Sequence, residues 1–210
     1  MRLDAAFHSF RRATAILITA VLCSIVAARA GKTDTLRHNV SAQPLRSPHW
    51  SLGGKGGLDI KLIQRPLDLT QAYFQGRGFP ADVTQRIANA CVMAVVARNL
   101  SANRTLRIDL ADWRVTSDGR EQPLRLEADW QKEWENGAVT QSARVAFRYS
   151  MLPTVQILHP GDWMQGMITA NLDPGRHFDL HIRWTENGKP KQAWLNDVVC
   201  ATSSAEETRP

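Results

Sequence analysis

The segment His177-Phe-Asp-Leu-His-Ile-Arg-Trp-Thr-Glu-Asn-Gly-Lys-Pro-Lys-Gln-Ala-Trp-Leu-Asn-Asp-Val-Val-Cys200 decides the fold class. Phe178, Leu180, Ile182 and Trp184 alternate with His177, Asp179, His181 and Arg183, the two-residue period of a half-buried strand. Asn187-Gly188 supplies two residues that tolerate positive φ, as a type I′ turn requires, so the chain doubles back there as a hairpin. The return strand ends on Cys200.

Upstream, short strands recur at turn spacings of roughly ten residues. Leu58 to Gln64 alternates, and Cys91 to Ala97 is the unbroken apolar run of a central strand covered on both faces. Leu106, Ile108 and Leu110 alternate, and Trp113 and Val115 continue one step out of phase, which predicts a β-bulge near Leu110. Asp118-Gly119 is a turn. Alternation through Leu124, Leu126, Ala128 and Trp130, and again through Val145, Phe147, Tyr149 and Met151, predicts two more strands, with an Asn136-Gly137 turn before the second. Val155 to Leu158 and Trp163 to Leu172 complete a set of eight or nine. The expected fold is an all-β, immunoglobulin-like two-sheet sandwich over residues 58–202.

The expected helical signal is confined to an insert at 67–90. Asp68 and Gln71 have the spacing of a capping box, Gly76 and Gly78 stop the first helix, and Ala81 to Ala90 forms a second. Tyr73, Phe74, Arg77 and Phe79 are grouped in this insert as a candidate partner-binding surface; a lid over one end of the sandwich is the plainer alternative.

The first thirty residues have the form of an export signal. Arg2, Arg11 and Arg12 precede an apolar run from Ala13 to Ala27, and Ala28-Arg29-Ala30 has the small-x-small pattern of a cleavage site. The run is shorter than the roughly 20 apolar residues of a membrane-spanning helix. Cleavage after Ala30 takes away four basic residues and one acidic one, and lowers the net charge from +6 to +3. No Lys/Arg cluster of the nucleic-acid type is left. Residues 31–57 are a basic, glycine-ended leader, and residues 203–210 a small polar tail. Cys91 and Cys200 remain as an even pair in an oxidising compartment, which predicts a disulfide and a periplasmic or secreted protein with no membrane span after cleavage.

Catalytic signatures are missing from the sequence: it has no G-x-S-x-G elbow, H-E-x-x-H helix or C-x-x-C pair. The expected role is therefore non-catalytic, an accessory or binding protein for another exported or membrane-associated protein. Copper binding is the alternative. His159, Met164 and Met167 cluster around the HPGDWMQGM turn, and imidazole with thioether sulfur suits Cu(I). His177, Asp179 and His181 share one strand face, but the two imidazoles stand about 13 Å apart at the backbone, too far to share one ion simply.

Overall fold

The computed structural model describes residues 47–54 and 57–202; the expected signal, most of the leader and the C-terminal tail lie outside them. The protein is mostly β, with two antiparallel sheets. The strands are β1 (His49–Ser51), β2 (Leu58–Gln64), β3 (Val92–Asn99), β4 (Leu106–Asp109), β5 (Arg114–Ser117), β6 (Arg120–Pro123), β7 (Val155–Leu158), β8 (Trp163–Thr169), β9 (His177–Glu186) and β10 (Lys189–Val199). The helices are α1 (Leu67–Gln75), α2 (Ala81–Ala88), α3 (Glu127–Glu133) and α4 (Gln141–Ser150).

The first sheet runs β1-β2-β3-β8. The second is centred on β9, which pairs along one edge with β10 and along the other with β4 and β5, flanked in turn by β7 and β6. The β9–β10 hairpin closes through Asn187 and Gly188 at φ 47° and 77°, as their residue types predict. Asp118 and Gly119, at φ 50° and 73°, close β5 on β6 in the same way.

Inward-facing residues of the two sheets form one core, with Ile60, Leu62, Met93, Val95 and Ile168 on the first side and Ile108, Val115, Leu180, Ile182 and Leu195 on the second. Cys91, just before β3, is bonded to Cys200, just after β10, with their Cα atoms 5.1 Å apart. The bridge joins the sheets covalently.

The phase slip near Leu110 is larger than a bulge. Leu110–Asp112 is a single 3-10 turn, and β4 and β5 are two halves of one strand on either side of it. β4 leaves the ladder at Ile108 opposite Trp184, and β5 enters it at Arg114 opposite His181. The indole of Trp113 fills the gap, its Nε1 donating to the carbonyl of Arg183 at 3.0 Å.

The strands expected at 124–130 and 143–151 are α3 and α4. Side-chain burial shows why. In α4, Ala143, Phe147 and Ser150 are buried while Val145 and Tyr149 are exposed, a three-to-four-residue period that a two-residue template also matches at alternate positions. Thr140 caps the helix by accepting from the N–H of Ala143, and Trp130 and Trp134 sit one turn apart on the buried side of α3 and the 3-10 turn that follows it.

These helices and the 67–90 pair pack on the other face of the first sheet. Val92 and Met167 point to the helices, and their neighbours Met93 and Ile168 point to the second sheet, as strand alternation dictates. The helix-side core is aromatic: Phe147 lies 4.9 Å from Trp134 and 5.4 Å from Phe74, and Phe79 lies 5.3 Å from Trp134, centroid to centroid. Trp130 is held by a hydrogen bond from Nε1 to Thr169 Oγ1 and by the Arg125 guanidinium over its ring. At Gly166 the backbone of Leu152 passes so closely that a Cβ would lie 2.6 Å from its nitrogen.

Candidate partner-binding surface

The four residues grouped in the 67–90 insert divide between inside and outside. Phe74 and Phe79 are buried in the aromatic core, where they seat α1 and the loop after it. Arg77 is exposed, Tyr73 is half-buried against the aromatic core, and the two form one unit. Arg77 sits one turn beyond Tyr73, lays its guanidinium 3.4 Å from the centre of the ring, and donates from Nη1 to the Tyr73 carbonyl at 2.9 Å. The edge of Phe74 packs against the same ring at 5.1 Å. The phenol oxygen is 2.9 Å from Ser150 Oγ at the end of α4. Tyr73 is therefore fixed on three sides before any partner arrives.

That hydrogen bond ties α1 to the end of α4, and exposed side chains are found on both helices. Tyr149, next to Ser150, is the most exposed large apolar or aromatic side chain among the described residues, at 85%. Val145, one helical turn earlier on α4, is also exposed, and so is Leu69 one turn before Tyr73 on α1. Leu69 and Arg77 at α1, and Val145 and Tyr149 on α4, are thus exposed on or beside helices fixed by the aromatic core. Tyr and Arg are the types that concentrate binding energy at protein interfaces. From the sequence Val145 and Tyr149 read as strand positions, because a four-residue spacing fits strand alternation and one helical turn alike.

Other chemistry-bearing residues are held in structural contacts. Met164 and Met167 are three residues apart on β8, so Met164 packs toward the inter-sheet core and Met167 toward the helices. They do not converge with His159, whose N–H bonds Asp162 Oδ2 in the turn. Among the described residues no group of three or more His, Cys, Asp or Glu is placed to hold a metal ion.

His177 Nδ1 lies 2.6 Å from Asp197 Oδ1, at a bulge in β10 where Asp197 takes φ 52° and donates its N–H to Asp179. Ser117 is close by, but its hydroxyl donates to the His177 carbonyl and leaves the ring alone. His181, expected on a solvent-facing strand side, is buried beneath Trp194, whose ring stacks on it at 4.2 Å. No described helix is long and apolar enough to cross a membrane.

Compared with known proteins, the chain matches no family model, no curated protein and no solved structure.

Proposed function

We propose that this protein is an exported, non-catalytic accessory protein that presents the α1–α4 face of its helical layer to another exported or membrane-associated protein. The observation that carries the proposal is the exposed Tyr149, whose chain neighbour Ser150 is hydrogen-bonded to the preorganised Tyr73–Arg77 pair. Exposed aromatic side chains on a rigid support bind without first paying much conformational entropy. Export is supported by the basic, apolar and small-residue pattern of residues 1–30, together with a disulfide of the kind that persists in oxidising compartments. An immunoglobulin-like sandwich is the fold half of the proposal. Its support is the pair of antiparallel sheets facing across one core with a disulfide between them.

The binding proposal is tested by capture from the native extracellular or envelope fraction with the immobilised protein and with its Arg77→Ala/Tyr149→Ala variant. Loss of about tenfold or more in affinity for the captured partner is expected from two interface anchors. Equal capture by both proteins removes the surface. The export half has its own readout, the intact mass of the native protein. A chain beginning at Gly31 and lighter by two hydrogens is expected, and an uncleaved chain with free thiols overturns it.

A further inference from the structure

The outer face of the second sheet, on the side away from the inter-sheet core, carries a groove of about 730 Å³. Its origin is the broken strand. Between Ile108 and Arg114 the chain leaves the ladder for the Leu110–Asp112 turn, so Arg183 has Gln192 of β10 beside it and no strand neighbour on the other side. Arg107, Asp109, Asp112 and Lys191 complete the charged walls.

The charges in this groove are unequally committed. Asp109 accepts from Arg107 at 2.8 Å and from the N–H of Ala111 at 3.1 Å. Lys191 lies 3.8 Å from the buried carboxylate of Glu186. Arg183 is exposed, and its guanidinium has no hydrogen-bond or ion-pair partner among the described residues; the same is true of the Asp112 carboxylate. The groove therefore offers one uncommitted cation, one uncommitted anion and the Gln192 amide.

The next rung along the same face is Trp194 opposite His181. The two rings are within 8° of parallel, and His181 Nε2 lies 3.1 Å from Gln192 Oε1. The indole is thus immobilised on one side while 48% of the residue stays exposed. From the Pro190 rung to the Trp194 rung the face extends about 13 Å, four residues of strand.

We propose that this groove binds an acidic oligosaccharide, with a sugar carboxylate on Arg183, hydroxyls on Gln192 and Asp112, and the apolar face of a sugar ring against Trp194. A guanidinium free of protein partners suits a planar carboxylate in two-point contact. A rigid, half-exposed indole offers an apolar surface with little ordering cost. A peptide is the poorer occupant, because the groove lies on the face of β9 and β10, whose facing backbone groups are spent in the ladder between them. An extended peptide needs an open edge.

The test is calorimetric titration of the whole protein with a galacturonic-acid hexamer, a glucose hexamer and hexaglutamate. Saturable binding of the acidic sugar is expected, with the neutral sugar at least about tenfold weaker. Arg183→Gln, a change at an exposed side chain, and Trp194→Ala each reduce affinity for the acidic sugar about tenfold or more, and Trp194→Phe restores most of the loss. Arg77→Ala leaves binding unchanged, which separates this site from the α1–α4 surface. Absence of saturable binding by the acidic hexamer overturns the proposal. So does hexaglutamate binding as tightly and with the same dependence on Arg183, which identifies a peptide or a simple charge contact.

Discussion

The first sheet is packed on both faces, and the two faces are built from different residues. Toward the second sheet it meets mostly aliphatic side chains supplied by long runs of strand. Toward the helices it meets Phe74, Phe79, Trp130, Trp134 and Phe147, drawn from helices of seven to ten residues and the turns beside them. The contrast follows from geometry. A short helix offers two or three inward positions, so each must bury a large area, and an aromatic side chain buries about 150–250 Å². Helices this short are also marginal by themselves and draw their stability from the packing. The inter-sheet core is specified by local alternation, whereas the helical layer exists through its contacts.

The covalent tie between the sheets carries the largest expected effect. Replacing Cys91 and Cys200 together by serine opens a link across 109 residues and lowers the unfolding free energy by roughly 4–5 kcal/mol in the chain-entropy account. Urea unfolding followed by tryptophan fluorescence and by circular dichroism checks this. Coincident transitions at a lower midpoint are expected, and separated transitions would show that the two cores melt independently. Next in size is Phe147→Ala, which empties the centre of the aromatic cluster at a cost of about 3–4 kcal/mol. Hydrogen exchange in this variant should rise in α1 to α4 more than in β9 and β10.

Gly166→Ala acts where the segment just after α4 passes against β8. The added methyl meets the backbone of Leu152, and a loss of about 1–3 kcal/mol is expected by the same unfolding assay. The smallest effect belongs to Thr140→Ala, which removes the α4 cap and costs about 1 kcal/mol. A change confined to amide exchange at the start of α4 is its signature.

The same contrast explains what could be read from the chain. Asn187-Gly188, Asp118-Gly119 and the Cys91–Cys200 pair each carry their own local physics, and each is found where the sequence places it. The phase slip near Leu110 announces a departure from the ladder but not its size, because the missing backbone partner is supplied by Trp113 from within the loop. The alternation that predicts a strand at 143–151 is met by Val145, Phe147 and Tyr149, yet on α4 Phe147 faces the core and the other two face outward; the helical signal in the sequence is Thr140 followed by Gln141, Ala143, Arg144 and Ala146, good helix formers behind a cap.

Burial was less legible still. His181 lies on the face its alternation predicts, yet Trp194 covers it, since a strand's period gives the direction of a side chain and not what lies above it. Asn99 looks like part of a polar turn and is instead buried, donating to the carbonyls of Arg104 and Leu158 and accepting from Ser101. In the candidate surface, Tyr73 and Arg77 were visible as a group, but their separation from Phe74 and Phe79 depends on which side of α1 the sheet lies.

The most direct test of the proposed role places a photo-crosslinking residue at position 149 in the native host, with the exposed position 163 on the first sheet as a control. A single discrete adduct from position 149, absent from position 163 and lost when Arg77 is changed to alanine, is the predicted result. No adduct at 149, or the same adducts from both positions whatever residue stands at 77, would contradict the α1–α4 surface as the place where this protein meets its partner.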